Sequence, residues 1–111
     1  MRSLRRLTND ERRLLRALIK RAKDLTLDPK WQDELLVESM NDSGMGSLRL
    51  VPSNASPYRK FGRTISSLEF DDADGVKVSV ALNVDQNGHL FEIDIWKTDF
   101  SPLVQIPEHL I

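Results

Sequence analysis

Glu92 and Asp94 stand two residues apart in the run HLFEIDIWK, with Trp96 two further on. Alternate residues of a strand share a face, so the two carboxylates and the indole belong on one outer surface, the carboxylates about 7 Å apart. Such a pair could trade a proton as acid and base or hold Mg²⁺. A nuclease of the D…(D/E)-x-K type needs its lysine two after the acid, whereas Lys97 follows Asp94 by three and falls on the opposite face. Asp72, Asp74 and Gly75 form a D-x-D-G resembling the start of a calcium loop, but the twelfth position from Asp72 is Asn83, not an acid. Turn chemistry accounts for that motif and for Asp85-Gln86-Asn87-Gly88.

The other chemistry-bearing residues are sparse. His89 and His109 lack the spacing of a metal pair, and no serine sits in a nucleophile elbow. No glycine-rich phosphate loop occurs. The absence of cysteine excludes disulfides, thiolate catalysis and cysteine metal sites. The sequence therefore calls for no metal and no cofactor, and gives an enzyme no positive support. A metal-dependent enzyme built on Glu92 and Asp94 ranks third among the readings.

Net charge conceals an asymmetry. Residues 1–24 carry nine Lys/Arg against three Asp/Glu, a balance of +6, which leaves −7 on residues 25–111. A basic front on an acidic body suits a nucleic-acid-facing segment, with Arg12, Arg13, Arg16 and Lys20 on the helix and Arg59, Lys60 and Arg63 on a basic-aromatic loop. The plainer explanation is a positive helix lying on a negative body. At 40% hydrophobic and 30% charged, the 111 residues read as one soluble domain, 1–111. No apolar run approaches the ~20 residues that span a bilayer, and the basic start lacks a following apolar stretch, so a cytoplasmic protein without a membrane partner is expected.

The elements that position these residues follow from pattern. Thr8 and Glu11 fit a capping box, and Leu14, Leu15, Leu18, Ile19, Ala22 and Leu25 repeat at helical spacing, giving a helix over about 9–24. Asp28-Pro29 suits the start of a second helix, buried through Trp31, Leu35, Leu36 and Met40 and ending near Met40. Ser47–Val51 reads as a short strand, 52–63 as a loop, and Thr64–Asp71 as a second strand. In Val76–Val84 the valines and Leu82 alternate with Lys77, Ser79, Ala81 and Asn83. A three-residue loop Ala73-Asp74-Gly75 pairs Asp72 with Val76, Phe70 with Val78 and Leu68 with Val80. His89–Lys97 alternates too. A four-residue loop pairs Leu82 with Phe91 and Val80 with Ile93; a two-residue Asn87-Gly88 turn moves those pairs by two and keeps the faces. The tail, 98–111, leaves the sheet and folds back through Phe100 and Leu103.

The string DADGVKVSVALNVDQNGHLFEIDIWKTDFSPL, with LTNDERRLL at the start and GMGSLRL at Gly44–Leu50, resembles a small bacterial domain family of unknown function. The likeness covers most of the chain and is most specific at Phe91–Leu103. It implies no established activity and no catalytic residue. Small families of this sort resemble immunity or accessory proteins of toxin systems, a class-level analogy.

The expectation is an α+β two-layer domain: two N-terminal helices (about 8–40) on a four-stranded, mainly antiparallel sheet (about 47–97). The leading function is a non-enzymatic protein-binding module, immunity-like or accessory, acting through Glu92, Asp94, Trp96, Lys97 and Asp99. Ordinary pairing with Lys77 and Ser79 explains part of that cluster. The alternative is nucleic-acid binding, and an exposed sheet edge leaves room for a homodimer.

Overall fold

The helix is set by its ends. In the computed structural model, which describes residues 3–22, 25, 30–53 and 55–110, the side chain of Thr8 accepts from the Glu11 N–H while the Glu11 carboxylate accepts from the Thr8 N–H. That box starts α1 (Asn9–Arg21). Leu14, Leu15 and Leu18 project from one side of α1 and are fully buried. Lys23 and the Asp28-Pro29 start of the expected second helix lie outside the described residues.

The expected second helix is instead a single turn, α2 (Trp31–Glu34), followed by strand β1 (Leu36–Ser39). Leu35 and Leu36 fit a helical stripe after Trp31, but Leu35 and Val37 are buried while Leu36 and Glu38 are half-buried, the alternation of a strand. β1 supplies antiparallel partners to β2 (Leu48–Val51), whose outer edge would otherwise lack them. Arg5 extends the edge, its N–H donating to Val37 O at 2.9 Å and its carbonyl accepting from Val37 N at 2.7 Å.

β3 (Phe61–Asp71), β4 (Lys77–Asp85) and β5 (Leu90–Lys97) complete one five-stranded antiparallel sheet in the order β1-β2-β5-β4-β3. Among the described residues, one multi-turn helix and five strands thus replace the expected two helices and four strands. Phe70 pairs with Val78 and Leu68 with Val80, as the three-residue loop requires. Gly75 takes φ +83°, which a side chain would resist.

The β4–β5 hairpin uses the same device. Asp85 N donates to His89 O and Gly88 N to Asp85 O, enclosing Gln86-Asn87-Gly88, with Gly88 also at φ +83°. Val84 pairs with Leu90, then a bulge restores Asn83–Glu92, Leu82–Ile93, Val80–Ile95 and Val78–Lys97. The main register is the two-residue slip, not the four-residue loop. The extra residue is Phe91: Leu90 enters the main core, while Phe91 lies outside it, its ring 5.4 Å from the Arg49 guanidinium and 5.1 Å from that of Arg59.

The core lies between α1 and one face of the sheet. Leu14, Leu15 and Leu18 meet Val37, Leu48, Leu50, Val78, Val80, Leu82, Ile93 and Ile95. Trp31 packs partly buried against them, and Leu103, Ile106 and Leu110 of the tail close the same side. Arg13 fastens that tail, donating to Pro107 O at 2.8 Å and Ile106 O at 2.9 Å. The helix and the tail both sit on this side, so the other face of β3, β4 and β5 carries no covering helix among the described residues. No described helix is long and apolar enough to cross a membrane.

Candidate functional site

The β3–β4 and β4–β5 loops each begin with an aspartate, Asp72 and Asp85, and both aspartates are buried. Lys97 continues the inward alternation of Ile93 and Ile95, so its side chain is 0% exposed at the rim of the core. Its Nζ donates to Asp72 at 2.8 Å, Asp74 at 2.5 Å and Pro102 O at 3.0 Å, using all three N–H bonds. Asp72 also accepts from the N–H groups of Ala73, Val104 and Gln105. Burial alone would raise the Asp72 carboxyl, but the Lys97 hydrogen bond and those amides outweigh it and hold its pKa at about 2. Burial works to lower Lys97, and its two carboxylate partners reverse that and raise it. Lys97 is therefore a structural cation and not part of an outer face, contrary to the sequence expectation.

The other end of the sheet repeats the arrangement. Asp85, fully buried, receives Arg59 Nε at 2.9 Å and the N–H groups of Asn87 and His89. Its pKa is lowered: burial pushes it up, and Arg59 with the His89 and Asn87 amides pulls it further down. Arg59 also donates to Leu50 O and Leu90 O. A Cβ on Gly62 would come within 2.3 Å of Asp85 O, so only glycine lets β3 pass here. Two of the seven cations expected to face nucleic acid are thus committed to the fold: Arg59 to Asp85, Arg13 to the tail. Lys20, Lys60 and Arg63 are exposed, Arg16 is exposed with interactions of its own, and Arg12 is half-buried.

On the open face the structure brings Glu92, Asp94 and Trp96 together, as the alternation required. Glu92 is half-buried and accepts from Asn83 Nδ2 at 2.9 Å. Asp94 is exposed and has neither hydrogen-bond nor ionic partner among the described residues. Trp96 is 48% exposed. Asp99 lies beyond the strand, exposed, its carboxylate holding the hydroxyl and N–H of Ser101, and its pKa is lowered by those bonds. The turn that follows β5, closed by Phe100 N–H on Lys97 O at 2.9 Å, delivers Phe100 at φ +62°. Phe100 is 64% exposed, and its ring lies 6.1 Å from that of Trp96, tilted by 48°.

Phe100 departs from expectation as well: Leu103 folds back onto the core, and Phe100 turns outward. Beside the Trp96 ring runs a groove of about 360 Å³ lined by Ser67, Glu69, Ser79, Ala81, Asp94 and Trp96, with Leu68 and Val80 between them. Among the described residues no three His, Asp or Glu converge as a metal site requires. The arrangement offers an exposed aromatic surface beside an unpaired carboxylate.

Fold and face together define a small α+β domain with one helical layer and one open, acidic-aromatic sheet face. The chain belongs to the family described as a domain of unknown function (DUF6984), whose model matches residues 4–107. No curated protein and no solved structure matches it.

Proposed function

We propose that this domain is a non-enzymatic protein-binding module whose open sheet face docks a basic partner. The observation that carries this reading is the pair Trp96 and Phe100, both exposed, adjoining the unpaired Asp94. Aromatic residues concentrate binding energy at interfaces, and large aromatic rings left in water cost free energy that a partner recovers. Asp94, Glu69 and Asp99 give the surrounding surface its negative sign, which favours a positive partner and speeds encounter. The domain acts by occlusion, covering a basic surface on its partner, in the manner of immunity and accessory proteins.

The test is affinity capture of the tagged protein from nuclease-treated lysate of its own host. Trp96→Ala/Asp94→Lys and Lys20→Glu variants run in parallel. One stoichiometric basic protein, lost in the first variant and kept in the second, bears the proposal out. Recovery of nucleic acid alone when nuclease is omitted, with binding that weakens steeply in salt and is lost in Lys20→Glu, sinks it in favour of the helix.

A further inference from the structure

We infer that the groove along β4 takes the side chain of a single arginine presented by the partner. This rests on the proposed docking face and names what that face grips. The trough follows from pairing. Ser67, Ala81 and Asp94 stand abreast across the sheet, and next to them Glu69, Ser79 and Trp96. The middle strand thus contributes only the small side chains of Ala81 and Ser79, while β3 and β5 raise walls on either side. Neighbouring strands lie about 4.8 Å apart, so the walls spring from backbones about 10 Å apart, the width of one extended side chain between them.

The walls select the occupant. Glu69 stands on one and Asp94 on the other, so the trough carries carboxylates on both sides. Glu69 is balanced at 3.5 Å by Lys77, whereas Asp94 has no cationic partner among the described residues. An apolar side chain seated here would strip water from Asp94 without replacing it. A divalent ion would find no third ligand among the described residues. A long cationic side chain meets every feature: an aliphatic stem over Ala81, a charge against Asp94, and the indole of Trp96 as a platform. Arginine fits better than lysine, because a planar guanidinium can stack on the ring and donate to a carboxylate at once. The tilted packing of Phe100 on Trp96 props that platform from outside the groove.

The probe is blocked arginine, N-acetyl-arginine amide, titrated into the ¹⁵N-labelled protein and followed by two-dimensional NMR. Blocked citrulline, which keeps the shape and loses the charge, is the control. Saturable shifts should gather on the Trp96 indole N–H and on the amides of Ser67, Ser79, Ala81 and Asp94. Citrulline should bind about tenfold more weakly, having lost both the ion pair and the cation–π contact. Asp94→Asn should weaken arginine about three- to fivefold, the size of one exposed ion pair, with an otherwise unchanged spectrum showing the fold intact.

Citrulline binding as tightly as arginine, an unaffected Asp94→Asn variant, or unsaturable shifts scattered over the surface would each overturn the inference. If arginine fails while the captured partner is still lost in Trp96→Ala/Asp94→Lys, the groove assignment falls and the docking face stands. If arginine binds as expected and no captured protein depends on Trp96 and Asp94, the arginine site stands and the docking face falls.

Discussion

Replacing Asp72 by Asn keeps the shape and one acceptor oxygen but removes a charge from beside Lys97, which is 0% exposed. Truncating one partner of a buried ion pair costs about 3–5 kcal/mol, because the remaining charge can no longer be solvated. Asp74, 40% exposed, also accepts from Lys97 and gives partial compensation, so the low end, about 3 kcal/mol, applies. Proton linkage gives a second route to the magnitude. The folded carboxyl titrates at about 2 instead of 3.8, a difference worth about 2 kcal/mol at neutral pH. Because the folded value is the lower one, this stabilisation is complete above about pH 4 and is lost as pH falls through about 2.

Urea unfolding at pH 7 is the assay. With a slope of about 1–3 kcal/mol per M for a small domain, a loss of about 3 kcal/mol should lower the midpoint of Asp72→Asn by about 1–3 M. Repeated at pH 4, 3 and 2, the wild-type protein should lose about 2 kcal/mol more than the variant does over that interval. A wild-type midpoint in the variant, or an undiminished acid response, would refute the reasoning.

Gly62→Ala should destabilise by about 2–3 kcal/mol in the same assay, since its Cβ would stand 2.3 Å from the Asp85 carbonyl oxygen and backbone must move. Arg13→Ala, which frees the carbonyls of Ile106 and Pro107, should cost about 1–2 kcal/mol and raise hydrogen exchange selectively in residues 104–110. Trp96→Ala should change stability by less than about 1 kcal/mol, the ring being half in water, while abolishing capture of the partner; a larger loss of stability would make Trp96 a structural residue.

Local chemistry was the most legible layer of this sequence. The Thr8–Glu11 box fixed the start of α1, and the Asp72–Gly75 turn fixed the register of β3 on β4. The inward and outward faces of β4 were equally plain. Leu36–Ser39 was not, because a four-residue strand after a helical turn has too few alternations to compete with the spacing of Trp31 and Leu35. The bulge at Phe91 was hidden for a related reason: Leu90 and Phe91 are both apolar, and composition cannot say which one turns inward. The Asp72 and Asp85 turns were recognisable, but their partners Lys97 and Arg59 lie 25 and 26 residues away along the chain. Only the assembled sheet brings those charges together. One signal was available: Lys97 shares the parity of Ile93 and Ile95, which put it on the dry side and away from Trp96.

β5, the last of the described strands to be synthesised, lies in the middle of the sheet between β2 and β4. Until residues 90–97 have left the ribosome, the β1–β2 hairpin has no β-sheet partner to join it to the β3–β4 hairpin. Neither pair of strands has enough hydrophobic surface to be stable alone. Completion of the sheet is thus a single insertion that closes both seams at once and brings Lys97 onto Asp72. Such an order of events favours all-or-none folding with a rate governed by long-range closure. It also leaves the nascent chain exposing two unpaired strand edges and their apolar faces, which in the cell is the interval in which a chaperone would find it.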